Sequence, residues 1–160
     1  MRPLILLDVD GVLNISSSIP DDACSSGILL LAGSRGAHVI VRDDLRSTLD
    51  RLALAGDLVW ASGWNEGAPA LFAKLVPWVS AIPHLTFETV GTTVEKLPVV
   101  REYVGDRSVV WIDDRIPDEA WSWAEERPAA TLLVPVDPLL GLGPDQLDVV
   151  EEWARERRRA

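Results

Sequence analysis

Three short runs of apolar residues stand out along the chain, at 4–7, 58–61 and 109–112, and a run rich in strand-forming residues lies at 131–136. An unbroken apolar run of this length is typical of a strand buried on both faces of a parallel sheet. Amphipathic stretches between and after the runs predict helices at about 44–55, 66–76, 96–103, 117–126 and 144–157. Strands that alternate with helices predict an α/β fold, a three-layer α/β/α sandwich around a mainly parallel sheet.

Two further apolar runs, 28–31 and 37–41, flank a short segment with two glycines, Gly33 and Gly36. This pattern predicts a β-hairpin beside the end of the first strand. The segment 15–42 is too small for a second domain, so we interpret residues 1–160 as one domain in which 15–42 forms a flap. Residues 85–88 predict one more short strand.

Acidic residues follow the first and third apolar runs. Asp8 and Asp10 come after 4–7, with Gly11 breaking the strand, and Asp113 and Asp114 come after 109–112. Ligands of open α/β sheets bind at the carboxyl ends of the strands. If the two strands are neighbours, the four carboxylates converge and repel one another. A hard divalent cation with oxygen ligands, Mg²⁺, relieves that repulsion.

Composition and charge argue against several classes of protein. The net charge of −10 argues against broad binding to nucleic acid or to an anionic membrane, which needs a positive surface. No apolar run approaches the roughly 20 residues that span a bilayer. The short apolar run near the N-terminus is interrupted by Asp8 before it is long enough for the core of a signal peptide. The single cysteine, Cys24, has no partner for an internal disulfide, which fits a cytoplasmic protein.

The polar residues at the strand ends resemble the motifs of a known family. In chain order they are Asp8-Val9-Asp10-Gly11-Val12 after the first strand, Ser62 after the second, Lys96 at the start of a later helix, and Asp113-Asp114 after a further strand. This order resembles the haloacid dehalogenase (HAD) superfamily, in its phosphatase branch. The resemblance implies a Rossmann-like HAD fold with a five-stranded sheet in the order 5-4-1-2-3.

The resemblance also implies a role for each matching residue. Asp8 is the expected nucleophile, which forms an aspartyl-phosphate. Asp10 is the expected general acid, and then the general base for the hydrolytic water. Ser62 and the Gly63 amide are expected to bind the phosphoryl oxygens, and Lys96 to neutralise charge on the nucleophile and the phosphoryl group.

The family pattern further implies a Mg²⁺ site. Its expected ligands are Asp8, the backbone carbonyl of Asp10, and Asp113, with Asp114 assisting directly or through water. The acidic residue two places after the nucleophile favours phosphoryl transfer over dehalogenation, because dehalogenases of this family need no such acid. The expected activity is Mg²⁺-dependent hydrolysis of a phosphomonoester.

Several alternatives stay open on the sequence alone. The first motif also resembles HAD domains of RNA-repair proteins, which suggests a nucleic-acid end phosphatase, and a non-catalytic HAD-fold binding protein is a third interpretation. Asp113 and Asp114 are also suited to capping the following helix, and Trp64 suits either the mouth of the site or the core. So small a flap predicts an open site, which admits a large substrate or is completed by a second copy of the chain.

Overall fold

A computed structural model describes residues 1–15, 28–32, 38–90 and 93–159 of the chain. The strands in these residues are β1 (Leu4–Leu7), β2 (Ile28–Ala32), β3 (His38–Arg42), β4 (Asp57–Trp60), β5 (Thr89–Val90), β6 (Thr93–Val94), β7 (Val109–Asp113) and β8 (Thr131–Pro135). The helices are α1 (Leu45–Ala55), α2 (Gly67–Phe72), α3 (Leu97–Val104), α4 (Asp118–Glu126) and α5 (Pro144–Arg159), with a 3-10 helix at Pro77–Ala81. The prediction of an α/β fold is confirmed.

The main sheet has four strands among the described residues, in the order β4-β1-β7-β8. All three neighbouring pairs are parallel, and the register places Leu4 of β1 opposite both Asp57 and Val109. Parallel strands covered on both faces need apolar residues at every position. Every residue of β1 and β7 is buried, which explains the unbroken apolar runs in the sequence.

Alternate residues of the sheet belong to two separate apolar clusters. Ile5 and Leu7 of β1 pack in a cluster that includes buried residues of α1, α2 and α5. Leu4 and Leu6 pack in a second cluster, with buried residues of α3 and α4. Successive strand side chains point to opposite faces of a sheet, so β1 contributes to both clusters and fixes the position of the residue that follows it.

Beside β4, where the predicted sheet has its fifth strand, the described residues form no further strand. Among the described residues a single parallel bridge joins Trp60 to His84, and the Trp60 amide donates to the Pro83 carbonyl at 2.9 Å. The prediction of a strand at 85–88 is wrong, because these residues adopt no regular structure. Pro83 has no N–H group with which to extend a ladder.

One helix end was predicted less accurately, and one helix start lacks a side-chain cap. The helix predicted at 66–76 ends at Phe72 and continues as turns before Pro77, and Val76 has φ −130° and ψ 84°. Proline disfavours helical geometry in the residue before it, so the helix cannot reach Pro77. At the start of α1, Asp44 makes no capping hydrogen bond with its side chain. Its carboxylate instead accepts two hydrogen bonds from Arg42.

The predicted hairpin is confirmed, since β2 and β3 pair antiparallel with Ile28 opposite Arg42. Its turn and Cys24 lie outside the described residues. The hairpin is attached to the end of the first motif, where the Ile15 amide donates to the Ile40 carbonyl at 2.9 Å. No helix in the described part of the chain has the length and apolar character needed to cross a membrane.

Candidate functional site

The site begins where two adjacent parallel strands end. Asp8 directly follows β1 and Asp113 is the last residue of β7, and the Asp8 amide donates to the Ile112 carbonyl at 3.1 Å. Both aspartates are buried, with 4% and 0% of their surfaces exposed. The strand pairing therefore holds two carboxylates at the same buried edge of the sheet, as the sequence predicted.

Lys96 lies between these two carboxylates. As predicted, it immediately precedes a helix, α3, whose first turn contains Pro98. Its Nζ lies 3.0 Å from Asp8 Oδ2 and 2.7 Å from Asp113 Oδ2, and only 12% of its side chain is exposed. Lys74, the only other lysine in the chain, is exposed. Lys96 is thus the lysine that the fold brings into the site.

Burial and charge shift the pKa values of this group. Burial, reinforced by the negative charge of Asp113, raises the pKa of Asp8 to about 7, although Lys96 opposes the shift. Burial alone lowers the pKa of Lys96, but attraction to Asp8 and Asp113 outweighs burial and raises it above its ordinary value. Lys96 therefore stays charged and compensates only one of the two carboxylates.

Asp114 completes a cluster of three carboxylates. One oxygen each from Asp8, Asp113 and Asp114 lies within 4.8 Å of the others. Asp114 is pressed against Gly11, which has a left-handed φ of +71°, and a Cβ at Gly11 would lie 2.7 Å from Asp114 Oδ2. Only glycine combines that backbone conformation with that space. Burial, followed by the charge of Asp113, raises the pKa of Asp114.

Asp113 and Asp114 do not cap the following helix. The residue before α4 is Pro117, and no side chain caps the helix. Asp113 instead accepts hydrogen bonds from the Trp111 indole at 3.1 Å and from the Arg115 amide at 2.9 Å. These two donors and Lys96 fix the orientation of the Asp113 carboxylate.

The Asp10 carboxylate does not join the other three, so the prediction that four carboxylates converge is wrong for this side chain. Asp10 is exposed, and it lies in a turn in which the Val9 carbonyl accepts hydrogen bonds from the amides of Leu13 and Asn14. Its Oδ1 accepts a hydrogen bond from Asn14 Nδ2 at 2.7 Å, and its Oδ2 accepts one from Trp64 Nε1 at 2.8 Å. The turn carries Asp10 away from the strand direction. The role of its backbone carbonyl stays a prediction.

Ser62 and Gly63 follow β4 and line the same cavity as the acidic residues. Ser62 is buried, with 2% of its surface exposed, whereas Gly63 is exposed. The cavity has a volume of about 620 Å³. Its lining consists of Asp8, Asp10, Ser62, Gly63, Glu95, Lys96, Leu97, Pro98, Asp113, Asp114, Arg115, Pro117 and Glu119. All seven predicted site residues therefore border one cavity.

Two contacts of the site were not predicted from the sequence, namely those of Asn14 and Trp64 with Asp10. The spacing offered a weak signal, because Asn14 follows Asp10 by four residues and Trp64 follows Ser62 by two. Arg115 pairs with Asp114 at 3.4 Å, and the Arg115 side chain is 87% exposed. Because the Arg115 guanidinium lies in solvent, its attraction to Asp114 is screened and contributes little to stability.

The three clustered carboxylates fit a divalent cation. They offer hard oxygen ligands of the kind that Mg²⁺ prefers. The raised pKa values of Asp8 and Asp114 reflect burial together with excess negative charge, which a cation offsets. The donor set of Asp8, Asp113 and Asp114 is therefore suited to Mg²⁺ on the chemistry of the residues themselves.

Comparison with known proteins gives no assignment, since no protein-family model and no curated protein matches the chain. The geometry of the site and the resemblance of its motifs therefore carry the functional proposal.

Proposed function

We propose that the protein is a Mg²⁺-dependent phosphomonoester hydrolase of the HAD type. One observation carries the proposal: Lys96 Nζ lies within 3.0 Å of Asp8 and within 2.7 Å of Asp113, at the carboxyl ends of adjacent parallel strands. A buried ammonium between two carboxylates, beside a third carboxylate and a buried serine, suits a site that handles a dianionic phosphoryl group.

Asp8 is the nucleophile in the first proposed step. Its carboxylate oxygen forms a bond to phosphorus while the bond from phosphorus to the ester oxygen breaks. Asp10 gives its proton to the departing oxygen, so the alcohol leaves in neutral form. Lys96 and Ser62 hold the phosphoryl oxygens, and the positive charge of Lys96 reduces the repulsion between two anions.

Water attacks the resulting aspartyl-phosphate in the second step. Asp10, now ionised, removes a proton from that water as the oxygen–phosphorus bond forms. The acyl phosphate bond breaks, which releases inorganic phosphate and regenerates the Asp8 carboxylate. Asp10 recovers its proton in the same step, so the cycle closes without a further reactant.

Asp8, Asp113 and Asp114 are the residues that would hold Mg²⁺. When bound, this ion supplies positive charge that offsets the clustered carboxylates and the incoming phosphoryl group. Lys96 alone compensates one carboxylate, so the site lacks positive charge for a dianionic substrate without a metal.

The proposed fold is a three-layer sandwich with the sheet order 5-4-1-2-3. The order of β8, β7, β1 and β4 corresponds to the first four places of that series. The bridge between Trp60 and His84 lies where the fifth place would be, and we assign the segment around His84 to it. So small a flap favours an open site, which suits a large substrate.

The rival functions receive less support. Glu95 and Glu119 are exposed residues of the cavity lining, and their charges disfavour a nucleic-acid backbone, which seeks a positive surface. A non-catalytic binding protein has no need of a complete set of nucleophile, acid, lysine and metal ligands. The intact set of Asp8, Asp10 and Lys96 therefore favours turnover.

The test of the proposed function is phosphate release from phosphomonoesters by the purified protein. We expect hydrolysis of 4-nitrophenyl phosphate and of alkyl phosphates in Mg²⁺, and loss of hydrolysis in EDTA that excess Mg²⁺ restores. A matched phosphodiester should not react, since it lacks the dianionic group that the site is proposed to bind. No phosphate release from any monoester in Mg²⁺ would contradict the proposal.

The affinity for Mg²⁺ should increase with pH. Asp8 has a pKa of about 7 in the metal-free protein, and a carboxylate must lose its proton before it can bind the metal. Below pH 7 the affinity therefore rises with pH, by up to about tenfold per pH unit, and it levels off above pH 8. Isothermal titration calorimetry at pH 6, 7 and 8 measures this, and Asp145→Asn, at an exposed aspartate of α5, is the control that should show the same dependence on pH. An affinity that is constant over this range would contradict it.

A further inference from the structure

We propose that Trp64 is a positioning residue for Asp10, whose indole N–H holds the carboxylate at the place where the leaving oxygen receives its proton. The inference rests on the proposed function, in which Asp10 is the general acid. Trp64 Nε1 donates a hydrogen bond of 2.8 Å to Asp10 Oδ2. Trp64 thereby determines how well the enzyme cleaves esters whose leaving group needs a proton.

The loop that carries Trp64 is tightly fixed. Asn65 has a left-handed φ of 47°, and its side chain pairs twice with the Phe87 backbone. Asn65 Oδ1 accepts from the Phe87 amide at 2.9 Å, and Asn65 Nδ2 donates to the Phe87 carbonyl at 3.3 Å. The Trp64 ring also packs against the apolar cluster of α1, α2 and α5. A donor held this firmly orients its acceptor at a small cost in entropy.

Asn14 supplies the second donor to Asp10 and is also anchored. Its side-chain nitrogen donates to Asp10 Oδ1 at 2.7 Å, while its side-chain oxygen accepts from the Ile40 amide at 3.1 Å. Asp10 is exposed, and an exposed aspartate otherwise exchanges between rotamers. Each of its oxygens is instead held by a donor from a different part of the fold.

Asp10 lines the same cavity as Asp8, and both of its carboxylate oxygens are therefore held in a fixed orientation beside that cavity. Proton donation matters most when the leaving oxygen is strongly basic, as in an alkyl ester. It matters least for 4-nitrophenyl phosphate, whose phenolate leaves without help. Loss of the Trp64 N–H should therefore slow alkyl esters selectively, whereas general damage to the fold or metal site slows all esters alike.

The experiment compares Trp64→Phe with Trp121→Phe. Phenylalanine keeps the aromatic ring and removes the N–H, and Trp121 is a matched control because it is 46% exposed on α4 and lies outside the cavity lining. We would measure kcat/KM in Mg²⁺ for an alkyl phosphate, phenyl phosphate and 4-nitrophenyl phosphate. Trp64→Phe should reduce kcat/KM about 10- to 100-fold for the alkyl phosphate and leave 4-nitrophenyl phosphate nearly unchanged.

A second comparison links the effect to Asp10. Asp10→Asn should show the same dependence on the leaving group, and the double variant with Trp64→Phe should be no slower than Asp10→Asn alone. Equal losses for all three esters, or no loss in Trp64→Phe, would overturn the role of Trp64 while leaving the phosphatase activity in place. If the unsubstituted protein releases phosphate from none of them, the proposed function and this inference both fail.

Discussion

Asp8→Asn should abolish phosphomonoester hydrolysis, lowering kcat by at least about 10³-fold, because an amide is too weak a nucleophile to attack phosphorus. Asp8 lies at the end of the central strand, 3.0 Å from Lys96, and 4% exposed. No other carboxylate occupies this position in the described residues. Steady-state hydrolysis of 4-nitrophenyl phosphate in Mg²⁺ measures the effect, and Asp145→Asn, an exposed aspartate in the first turn of α5, is the control.

The same substitution should stabilise the metal-free protein, which separates loss of chemistry from loss of fold. The pKa of Asp8 is raised to about 7 in the folded state, so the folded protein binds this proton more tightly than the unfolded chain does. The contribution of Asp8 to the free energy of unfolding is therefore complete below about pH 4 and falls as pH rises to about 7. At pH 8 Asp8→Asn removes that penalty, and we expect a gain of about 1–3 kcal/mol. An inactive variant that melts below the unsubstituted protein would contradict this account.

Lys96→Met should destabilise the metal-free protein by about 3–5 kcal/mol at pH 8. Methionine keeps the length and the apolar stem of the side chain but removes the ammonium. Asp8 and Asp113, 4% and 0% exposed, then face each other without a compensating charge. Breaking a buried ion pair by removing one partner costs more than the pair itself contributes, because an unpaired charge stays buried.

The dependence of this defect on pH and metal identifies its cause. Without Lys96 the pKa of Asp8 rises further, since the lysine is what lowers it. Acid therefore protonates Asp8 and reduces the defect, and Mg²⁺ reduces it by supplying charge. Urea unfolding at pH 5 and 8, with and without Mg²⁺, measures both trends. Lys74→Met, at the only other lysine, is the control, and a defect independent of pH and metal would indicate lost packing instead.

The sequence predicted correctly the site residues that lie at the ends of strands or at the start of a helix, because the course of the backbone alone places them. Asp8 and Asp113 directly end neighbouring parallel strands, so pairing of the strands alone brings them together. Lys96 was placed by the resemblance, which expects a lysine at the start of a later helix, and α3 begins directly after it because a proline such as Pro98 is tolerated in the first turn of a helix. These positions depend on strand order and helix boundaries, which the apolar pattern encodes.

The contacts that the sequence did not predict are made by side chains on turns and loops. Regular secondary structure does not determine where these side chains point. Asp10 lies two residues past its strand, where a turn and not a sheet decides where its carboxylate points. Its bond with Trp64 joins loops that lie 54 residues apart, and no local periodicity relates them. The Asp44 side chain similarly has an alternative partner in Arg42, which competes with the helix capping that an aspartate in this position favours.

The attachment of the hairpin also makes this part of the chain a natural insertion point. Ile15 and Ile40 are joined by a backbone hydrogen bond of 2.9 Å, so the chain leaves and re-enters the domain at almost the same place. The entropy cost of closing a loop grows only with the logarithm of its length. Segments of very different size between these two residues would therefore be accommodated at nearly equal cost to the sheet. In the proposed phosphatase, replacement of that one segment would change which substrates reach the site, while the strand ends that hold Asp8 and Asp113 would stay unaltered.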